Sequence, residues 1–532
     1  MDGGFSNFLW NKFKEDSAFA LYQPFFVCMA AGNLDSSDFH YCISQEVYFL
    51  QAFQEVYELI EKYVDEEIAK ETIGHLKELV RKKILIKETH TGELKGATSE
   101  YITFLSKTAS GQVKMGSPYK YTETDYDKTK LATYTFGAIA PCIRLYTHIC
   151  NEIKPFMDPD SSNFYKQWFE MFSSQQHEEA VKLPEKLLDD LSVSSTSEEL
   201  EMIEAVYYQA MKHMMEFFAA QPVSQQTVVP LCRVPNDHSE RYLTIFCDFD
   251  STFFSFDSFA ILAEAIVRIS PDSKEKWEAL SSQYAEEFEQ CVESITSGEA
   301  ANNFDYEGIR DVLEQVGEFE KKQNVSLEEL ELLKGLSPED INVVAHRFAF
   351  QEGCETFLQS VQNENPKPDV HVISYSWSGN IIRSVFASGG LDAMISNVHS
   401  NELAFEDDVT TGEIVKNVET PLEKLQVFID ILKDRKGEGN HLTVYIGAKV
   451  SDLLCLLEAD IGIVIGSSPS LRKVGDQFGV SFEPLFSGVV GKQKEVTDEA
   501  FASIWKPLSG TLYTVSSWFE IRAFILGWKN HS

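Results

Sequence analysis

The chain has 532 residues, of which 43% are hydrophobic and 12% aromatic, a composition typical of globular domains and unlike that of disordered chains. Its 46 basic and 83 acidic residues give a formal net charge of −37, which repels nucleic-acid phosphates and anionic lipids and so argues against nucleic acid and membrane as partners. The length predicts about two to four domains.

The cysteines and the N-terminal residues indicate the cellular compartment in which the protein is expected. The nine cysteines are scattered and include no C-x-x-C pair, which favours a reducing compartment over a disulfide framework or a zinc ribbon. No apolar run reaches the ~18 residues of a membrane span, and the start lacks the pattern of a signal or transit peptide. We expect a cytoplasmic protein as the chain is written, and a mitochondrial one if a longer isoform carries a transit peptide.

Residues 1–221 have the periodicity of α-helices. The stretches 40–64 and 197–220 place apolar residues three and four positions apart, as a helix with one buried face does. In the second stretch Ser197 precedes acidic residues and is the expected helix cap. Because period-two strand pairs and internal repeats are absent from the pattern, it predicts an all-α bundle.

Residues 222–241 are rich in Pro, Gln and Ser and read as a linker. Beyond it, in 242–532, short apolar runs suited to buried strands alternate with helical stretches, which predicts a doubly wound parallel sheet. The expected strands are 242–250, 369–376, 441–447 and 460–466. Residues 256–353 interrupt the alternation with charged helical sequence, and we expect them to form a helical cap over the strand ends, where ligands bind in such sheets.

The first expected strand ends at Asp248 and Asp250, in a D-x-D pattern. A buried carboxylate without a partner costs several kcal/mol, so two of them at a strand end need a reason. One ionised aspartate can attack phosphorus, and a protonated one two residues later can donate to the leaving alkoxide. A helix cap or a salt-bridged pair would be the simpler interpretation, but motifs further along the chain argue against it.

Those motifs follow in order. Thr252 extends D-x-D to D-x-D-x-T, and a later apolar strand ends at Ser374. Lys424 lies on a helical stretch, and the segment "VYIGAKVSD" ends at Asp452. Together they resemble the haloacid dehalogenase (HAD) superfamily. The resemblance implies a HAD-like phosphatase in which Asp248 is the nucleophile and Asp250 the acid/base.

The same resemblance implies how phosphate and metal are held. Phosphate would be bound by Thr252, Ser374 and Lys424. The cofactor would be Mg²⁺, with Asp248, Asp250 and Asp452 as the metal residues. Alanine cannot ligate a metal, so Ala448, which stands where the family has a ligating aspartate, predicts weaker metal binding, and Lys449 beside it adds a positive charge.

The helical half resembles a second family. The segments 39–53, 138–146, 164–174 and 210–218 are similar to those of the TenA (thiaminase-II-like) proteins, whose fold is a haem-oxygenase-like all-α bundle. The resemblance implies hydrolysis of aminopyrimidines, with Cys142 as the catalytic nucleophile. From the residues alone, a cysteine on an apolar helix is more often an inert core residue. The substrate pocket implied by the resemblance is lined by Glu46, Phe49, Tyr101, Tyr146, Phe172 and Met214.

Three of these pocket positions depart from the family pattern. Glu46 replaces an aspartate, Phe172 replaces a tyrosine, and Met214 replaces the carboxylate that moves protons during cysteine attack. Glu216 lies about 200° around the helix from Met214 and should point away from the pocket. A nucleophile without its acid/base partner loses orders of magnitude in rate, so we expect a weakened aminopyrimidine aminohydrolase.

The fusion of the two halves resembles the bifunctional thiamine-salvage proteins of plants. It implies dephosphorylation of thiamine monophosphate by the HAD-like half, small-molecule substrates, and a homo-oligomer formed through the TenA-like half. Two alternatives stay open: a diverged paralog with a repurposed TenA pocket in specialised metabolism, and a non-catalytic ligand-binding pseudo-enzyme. A di-iron centre using His177, Glu178 and His213 is a weaker alternative, because no E-x-x-H pair points convincingly inward.

Overall fold

The computed structural model describes residues 3–87, 93–112, 130–157, 165, 168–169, 175–232, 241–254, 258–347, 349–433, 440–496 and 504–529. The chain divides into two compact units. The first comprises Met1–Pro230 and Gly527–Ser532, and the second comprises Leu231–Leu526. None of the helices in the described ranges has the length and hydropathy that a membrane crossing requires.

The first unit is all-α over its described residues, as predicted. Its long segments bury one apolar face each, and tertiary packing of such faces supplies most of the stability of helices in proteins. Two 3₁₀ turns, Glu61–Tyr63 and Lys154–Phe156, extend helices. The helices are Gly4–Lys12, Lys14–Leu21, Pro24–Ala31, Ser36–Ile60, Glu67–Lys87, Gly96–Ala109, Leu131–Ile153, Gln175–Ser192 and Ser197–Ala219.

The start of the helix Ser197–Ala219 differs from the prediction by one residue. Thr196, not Ser197, is the cap: its hydroxyl accepts a hydrogen bond from the Glu199 N–H, and the Glu199 carboxylate accepts one from the Thr196 N–H. This reciprocal capping box needs Glu or Gln three residues after the cap. Counted from Ser197, that position is Leu200, which cannot complete the box.

The second unit is built on a parallel sheet, as predicted. In its described part seven strands lie in the order β3-β2-β1-β6-β7-β9-β8, and β4 and β5 form a separate antiparallel pair. The strands are β1 Arg241–Cys247, β2 Asp369–Ile373, β3 Val398–His399, β4 Glu402–Glu406, β5 Val409–Val415, β6 Asn440–Gly447, β7 Ile461–Ile465, β8 Ser481–Pro484 and β9 Thr511–Val515.

The strand order reverses between β1 and β6. The chain runs outward from β1 through β2 to β3 on one side, and from β6 through β7 to β9 on the other. Ligands bind in doubly wound sheets at such a switch point, beyond the carboxyl ends of the strands. The fold therefore assigns the edge after β1 and β6 as the place to look for a site.

Helices surround this sheet. The first four helices of the unit lie between β1 and β2 and form the cap, so the helical character expected of residues 256–353 is observed. The hairpin β4–β5 was not predicted; Thr411 of β5 pairs with Lys334 near the cap. The helices are Ser258–Ile269, Ser273–Ile295, Tyr306–Glu329, Pro338–Ala345, Cys354–Gln362, Gly379–Ser388, Pro421–Lys433, Leu453–Glu458, Pro469–Gln477, Leu485–Glu495 and Trp518–Ile525.

The border between the units falls within the predicted linker 222–241. Part of this segment is ordered against the second unit: the N–H groups of Leu231 and Cys232 donate to the carbonyls of Phe524 and Ile525. Residues 233–240 lie outside the described part of the chain. The domain limits 1–221 and 242–532 stay predictions.

Candidate active sites

Strand register brings the motif residues of the second unit to one edge of the sheet. Cys247 of β1 lies opposite Val372 of β2 and Ile446 of β6. Parallel strands end on the same side, so the residues that follow these three strands meet there. Asp248 comes directly after β1, and its N–H donates to the Ile446 carbonyl at 2.9 Å.

A buried lysine joins two aspartates at this edge. Lys424 Nζ donates to Asp248 Oδ1 at 2.7 Å and to Asp452 Oδ1 at 2.5 Å. All three side chains are at most 3% exposed, so the three groups carry one excess negative charge away from water. Burial alone would lower the pKa of Lys424, but the two carboxylates raise it overall. Burial and the Asp452 charge raise the pKa of Asp248, and Lys424 limits that rise.

Asp452 is held by protein donors on both carboxylate oxygens. Oδ1 also accepts from the Tyr445 hydroxyl at 3.2 Å, and Oδ2 accepts from the N–H groups of Ala448 and Lys449, each at 2.9 Å. Gly447 makes this possible, because a Cβ there would lie 2.7 Å from Asp452 Cγ. With four donors engaged, Asp452 is placed to hold Lys424.

The second oxygen of Asp248 has a different environment. Asp248 Oδ2 is buried and has no hydrogen-bond partner among the described residues, and the Thr252 hydroxyl is in the same condition. An unpartnered buried acceptor is costly, which points to a ligand atom that completes it. In the described ranges, Asp248, Asp250 and Asp452 do not converge as a ready-made metal cluster. Asp248 Oδ2 is thus the oxygen left open to a hard cation or to phosphorus.

Asp250 is oriented by the first residue of the cap. The Ser258 N–H donates to Asp250 Oδ1 at 2.5 Å, and the Ser258 hydroxyl donates to Oδ2 at 3.0 Å. Lys449 Nζ lies 4.0 Å from Oδ2. The sequence analysis did not identify Ser258, although a serine at a helix start is a common partner of carboxylates and backbone groups.

Ser374 and its neighbour Tyr375 follow β2 at this edge. The Ser374 hydroxyl oxygen accepts from the Ser376 N–H at 3.1 Å, which leaves its own hydrogen available to donate. The Tyr375 ring lies 5.2 Å from Lys424 Nζ, and its buried hydroxyl has no partner among the described residues. The sequence analysis missed Tyr375, because no motif marks it.

A cavity of about 360 Å³ opens next to these residues. The sheet side contributes Asp250, Ser376 and Lys449, and the cap contributes aromatic side chains and Glu320. Its lining residues are Asp250, Ser258, Phe259, Ser281, Tyr284, Phe288, Val316, Glu320, Asn324, Tyr375, Ser376, Trp377, Asn401, Val418, Glu419, Lys449, Val450, Ser451, Ser468 and Ser470. This volume suits a small organic molecule.

In the first unit, Cys142 is buried within the helix Leu131–Ile153. Burial raises the pKa of its thiol to about 12; the nearby Tyr101 hydroxyl opposes this rise and the Glu46 charge adds to it. Tyr101 itself donates to the Ala138 carbonyl at 2.9 Å. Because the thiolate is the reactive form, this environment makes Cys142 a poor nucleophile at neutral pH.

Glu46 lies near the thiol and is also buried. Its two carboxylate oxygens are 3.2 and 3.1 Å from Trp168 Nε1, which donates to them. Burial raises the pKa of Tyr146, and the Glu46 charge beside it contributes to the rise. The Phe49 ring packs edge-on against Tyr101 at 5.2 Å. The structure thus brings together four of the predicted pocket residues, and adds Trp168, which the sequence analysis did not single out.

Met214 is buried on the side of its helix that faces these aromatic residues. One turn further along the same face, Phe217 lies 4.5 Å from Phe49 and Phe218 lies 5.4 Å from Tyr146, measured between ring centroids. Glu216, on the same helix, pairs with His213 Nδ1 at 3.1 Å.

The structure gives less about the remaining predicted residues of this unit. Phe172 and the side chains of His177 and Glu178 are outside the described residues. His213 belongs to a group with Glu100 and Glu216 whose ligand atoms lie within 4.8 Å of one another, and Glu100 in it is exposed.

No family model matches the chain. The chain is 45% identical, over 553 residues, to the bifunctional TH2 protein, mitochondrial, of Arabidopsis thaliana, which covers 98% of this chain and 89% of that protein. It is 22% identical, over 185 residues, to the aminopyrimidine aminohydrolase of Helicobacter pylori, which covers 35% of this chain and 82% of that protein.

Two solved structures are also similar. A TenA homologue from Pyrococcus furiosus matches 40% of this chain and 98% of its own, at 17% identity and a TM-score of 0.35. A phosphoserine phosphatase with an analogue of its phospho-aspartyl intermediate matches 44% of this chain and 90% of its own, at 19% identity and a TM-score of 0.29.

Because Lys424 bridges two buried carboxylates, we expect removal of one carboxylate to lower the stability of the second unit strongly. Asp452→Asn should lower the free energy of unfolding of the second unit by about 3 kcal/mol, because Lys424 loses one of its two counter-charges while buried. Tyr445→Phe is the matched control: it removes one neutral donor to the same oxygen and should cost about 1 kcal/mol. Urea titration followed by tryptophan fluorescence measures both, and equal losses would contradict the assignment.

Proposed function

The chain belongs to the family of the bifunctional TH2 proteins, thiamine-salvage enzymes that combine a TenA-like unit with a HAD-type phosphatase unit, and on that premise we propose a function for each unit. The second unit dephosphorylates thiamine monophosphate to thiamine. The first is an aminopyrimidine aminohydrolase of reduced activity. The observation that carries the phosphatase proposal is the buried Asp248–Lys424–Asp452 cluster at the switch point of the sheet. Family membership favours this function over the pseudo-enzyme and the repurposed paralog.

In the proposed reaction Asp248 is the nucleophile. Its carboxylate attacks phosphorus, the bond between phosphorus and the ester oxygen breaks, and Asp250 donates a proton to the leaving alkoxide. Water then attacks the phosphorus of the aspartyl phosphate, Asp250 takes the proton of that water, and phosphate leaves. The position of Asp248 directly after β1, beside Lys424, supports the first role. The two hydrogen bonds from Ser258, which fix the Asp250 carboxylate, support the second.

Lys424, Ser374 and Thr252 are the proposed partners of the phosphoryl oxygens. Lys424 supplies the fixed positive charge that such a group requires. The Ser374 hydroxyl keeps a hydrogen to donate, and the buried Thr252 hydroxyl lacks a partner among the described residues. Asp452 acts through Lys424, as a positioning residue.

We propose Mg²⁺ as the cofactor; Asp248 would be its carboxylate ligand, together with water, in the manner this ion prefers, because both oxygens of Asp250 already accept hydrogen bonds from Ser258. When bound, it would neutralise charge on the phosphoryl oxygens. Asp248 Oδ2 fits this task, whereas the Asp452 oxygens already accept four hydrogen bonds. With Ala448 in place of a further carboxylate, the protein offers the ion a reduced ligand set.

In the first unit the proposed pocket residues lie together, but a reactive thiolate is disfavoured and the proposed proton carrier is replaced by Met214. Cys142 is buried beside Glu46 and Tyr101, which supports the proposed position of the nucleophile. Its raised pKa and the apolar Met214 argue for slow turnover, because attack at the pyrimidine ring needs a thiolate and a proton carrier. The matching protein from Helicobacter pylori is named for hydrolysis of an aminopyrimidine, and we assign that class of substrate here.

Two further properties are proposed. The name of the Arabidopsis relative places that protein in mitochondria, and we propose the same location for a form of this chain that carries a transit peptide. A homo-oligomer formed through the TenA-like unit is proposed by analogy with that family.

Asp248→Asn tests the phosphatase proposal. The amide cannot attack phosphorus, so release of phosphate from thiamine monophosphate with Mg²⁺ should fall on the order of a thousandfold or more. Asp460→Asn is the matched control: Asp460 precedes β7 at the opposite edge of the sheet, where it accepts from the Thr443 N–H and hydroxyl. It should keep nearly natural turnover. An active Asp248→Asn protein would disprove the assignment of the nucleophile.

Ala448→Asp tests the reduced ligand set. A carboxylate at this position should lower the Mg²⁺ concentration for half-maximal activity about tenfold, which corresponds to about 1.4 kcal/mol. Ala448→Asn, of similar shape and without charge, is the control. Phosphate release measured across a Mg²⁺ titration distinguishes the two, and identical titrations of the Asp and Asn variants would rule out a metal at this position.

Met214→Glu tests the weakened first unit. A carboxylate on the face of the helix beside the pocket should raise aminopyrimidine hydrolysis at least about tenfold by restoring a proton carrier. Met215→Glu introduces the same charge at an equally buried neighbour about 100° around the helix, and should not raise the rate. Ammonia release is measured after thermal melting has shown that each variant folds. Equal rates for both variants would mean that Met214 does not face the substrate.

A further inference from the structure

The cavity beside Asp250 is lined by one lysine and by two glutamates at a distance from Asp250 in the sequence. Lys449 lies on the wall formed by the sheet, next to Asp250. Glu320, from the cap helix Tyr306–Glu329, and Glu419, from the segment before the helix Pro421–Lys433, line the cavity as well. With the phosphoryl group held by Lys424, as proposed above, the two glutamates line the cavity that is left for the rest of the substrate.

Hydrogen bonds hold both glutamates in place. The Tyr284 hydroxyl donates to Glu320 Oε1 at 2.9 Å, and Asn324 Nδ2 donates to Glu419 Oε1 at 3.1 Å. Trp377 Nε1 in turn donates to Asn324 Oδ1 at 2.7 Å, which fixes the orientation of that amide. The two carboxylates are therefore preorganised, so binding a cation costs little free energy for ordering them.

Lysines near Glu419 only partly balance this charge: Lys321 is hydrogen-bonded to Glu318, and its pKa is raised by Glu318 and to a smaller extent by Glu419. Lys416 Nζ lies 3.7 Å from Glu419 but 3.1 Å from Glu328, so it is shared. Its side chain is 30% exposed, and exposed pairs of this kind interact weakly. The charge of Glu419 is therefore only partly compensated where it lines the cavity.

Flat aromatic side chains also line this cavity. The Phe259 ring lies 5.0 Å from the Trp377 ring, and Tyr284 and Phe288 are stacked at 6.1 Å. Aromatic faces attract cations and stack on flat rings. Tyr375 connects this wall to the sheet, because the charges of Glu320 and Asp248 both act on its phenol.

We infer that Glu320 and Glu419, with the aromatic wall, determine the specificity of the phosphatase. They select phosphate monoesters whose leaving group is a flat, cationic heteroaromatic ring, and they disfavour anionic leaving groups. The inference rests on the proposed phosphatase function and extends it to residues that contact the leaving group. The thiazolium ring of thiamine has the required charge and shape.

The test compares two esters with the full-length protein: thiamine monophosphate, and p-nitrophenyl phosphate, whose leaving group has no positive charge. Glu320→Gln and Glu419→Gln should each lower kcat/KM about tenfold for the first ester and leave it within about twofold for the second. Glu314→Gln, an exposed residue on the same cap helix as Glu320, is the matched control and should change neither. Equal losses with both esters, or no loss with either, would overturn the inference.

Calorimetric binding separates this inference from the proposed function. The ligands are thiamine and an analogue of the same shape whose ring is an uncharged thiophene. The natural chain should bind thiamine more tightly, and the Glu320→Gln, Glu419→Gln double variant should lose that difference. If the difference is observed without hydrolysis of thiamine monophosphate, the proposed function fails, whereas the recognition of a cationic ring by Glu320 and Glu419 stands. Hydrolysis without any such difference would refute the inference alone.

Discussion

The arrangement of the second unit depends on one buried lysine held between two carboxylates. Lys424, Asp248 and Asp452 come from a helix, a strand end and a 3₁₀ turn that are distant in sequence. Removing one partner from such a group leaves a buried charge uncompensated, at a cost of about 3–5 kcal/mol. Lys424 reaches both carboxylates only when the strand register of β1 and β6 is correct, so these contacts also specify how the sheet assembles.

Ala448 and Lys449 change the electrostatics around this cluster. The cluster itself carries two negative charges and one positive charge, and a further aspartate at position 448 would make it more negative by one. Alanine avoids that charge, and Lys449 adds a cation 4.0 Å from Asp250. A bound divalent ion has less negative charge to neutralise here than the family pattern provides. Alanine at position 448 and the lysine that follows it both make this edge of the sheet less negative than an aspartate at position 448 would.

The sequence predicts the parts of this fold that local pattern determines. Buried parallel strands such as β7 are continuous apolar runs, and four strands were found that way. β8 is largely exposed and shows no such run, and β4–β5 is a separate hairpin, so neither was predicted. Motif spacing identifies Asp248 and Lys424. No motif identifies Ser258, Tyr375 or Glu320, which the folded chain brings to the site. In the first unit, Trp168 contacts Glu46 across 122 residues of sequence, so no local pattern identifies it either.

The two candidate nucleophiles are both buried, but their charged neighbours have opposite signs. Asp248 and Cys142 are both almost fully buried, and desolvation disfavours the charged form of each. Lys424 contacts Asp248 at 2.7 Å and preserves its anionic character. Cys142 has instead a carboxylate, Glu46, near enough to raise its pKa further. A helical pocket that stabilises the neutral thiol, and that has Met214 where a carboxylate would carry protons, is suited to holding a flat ligand more than to attacking it.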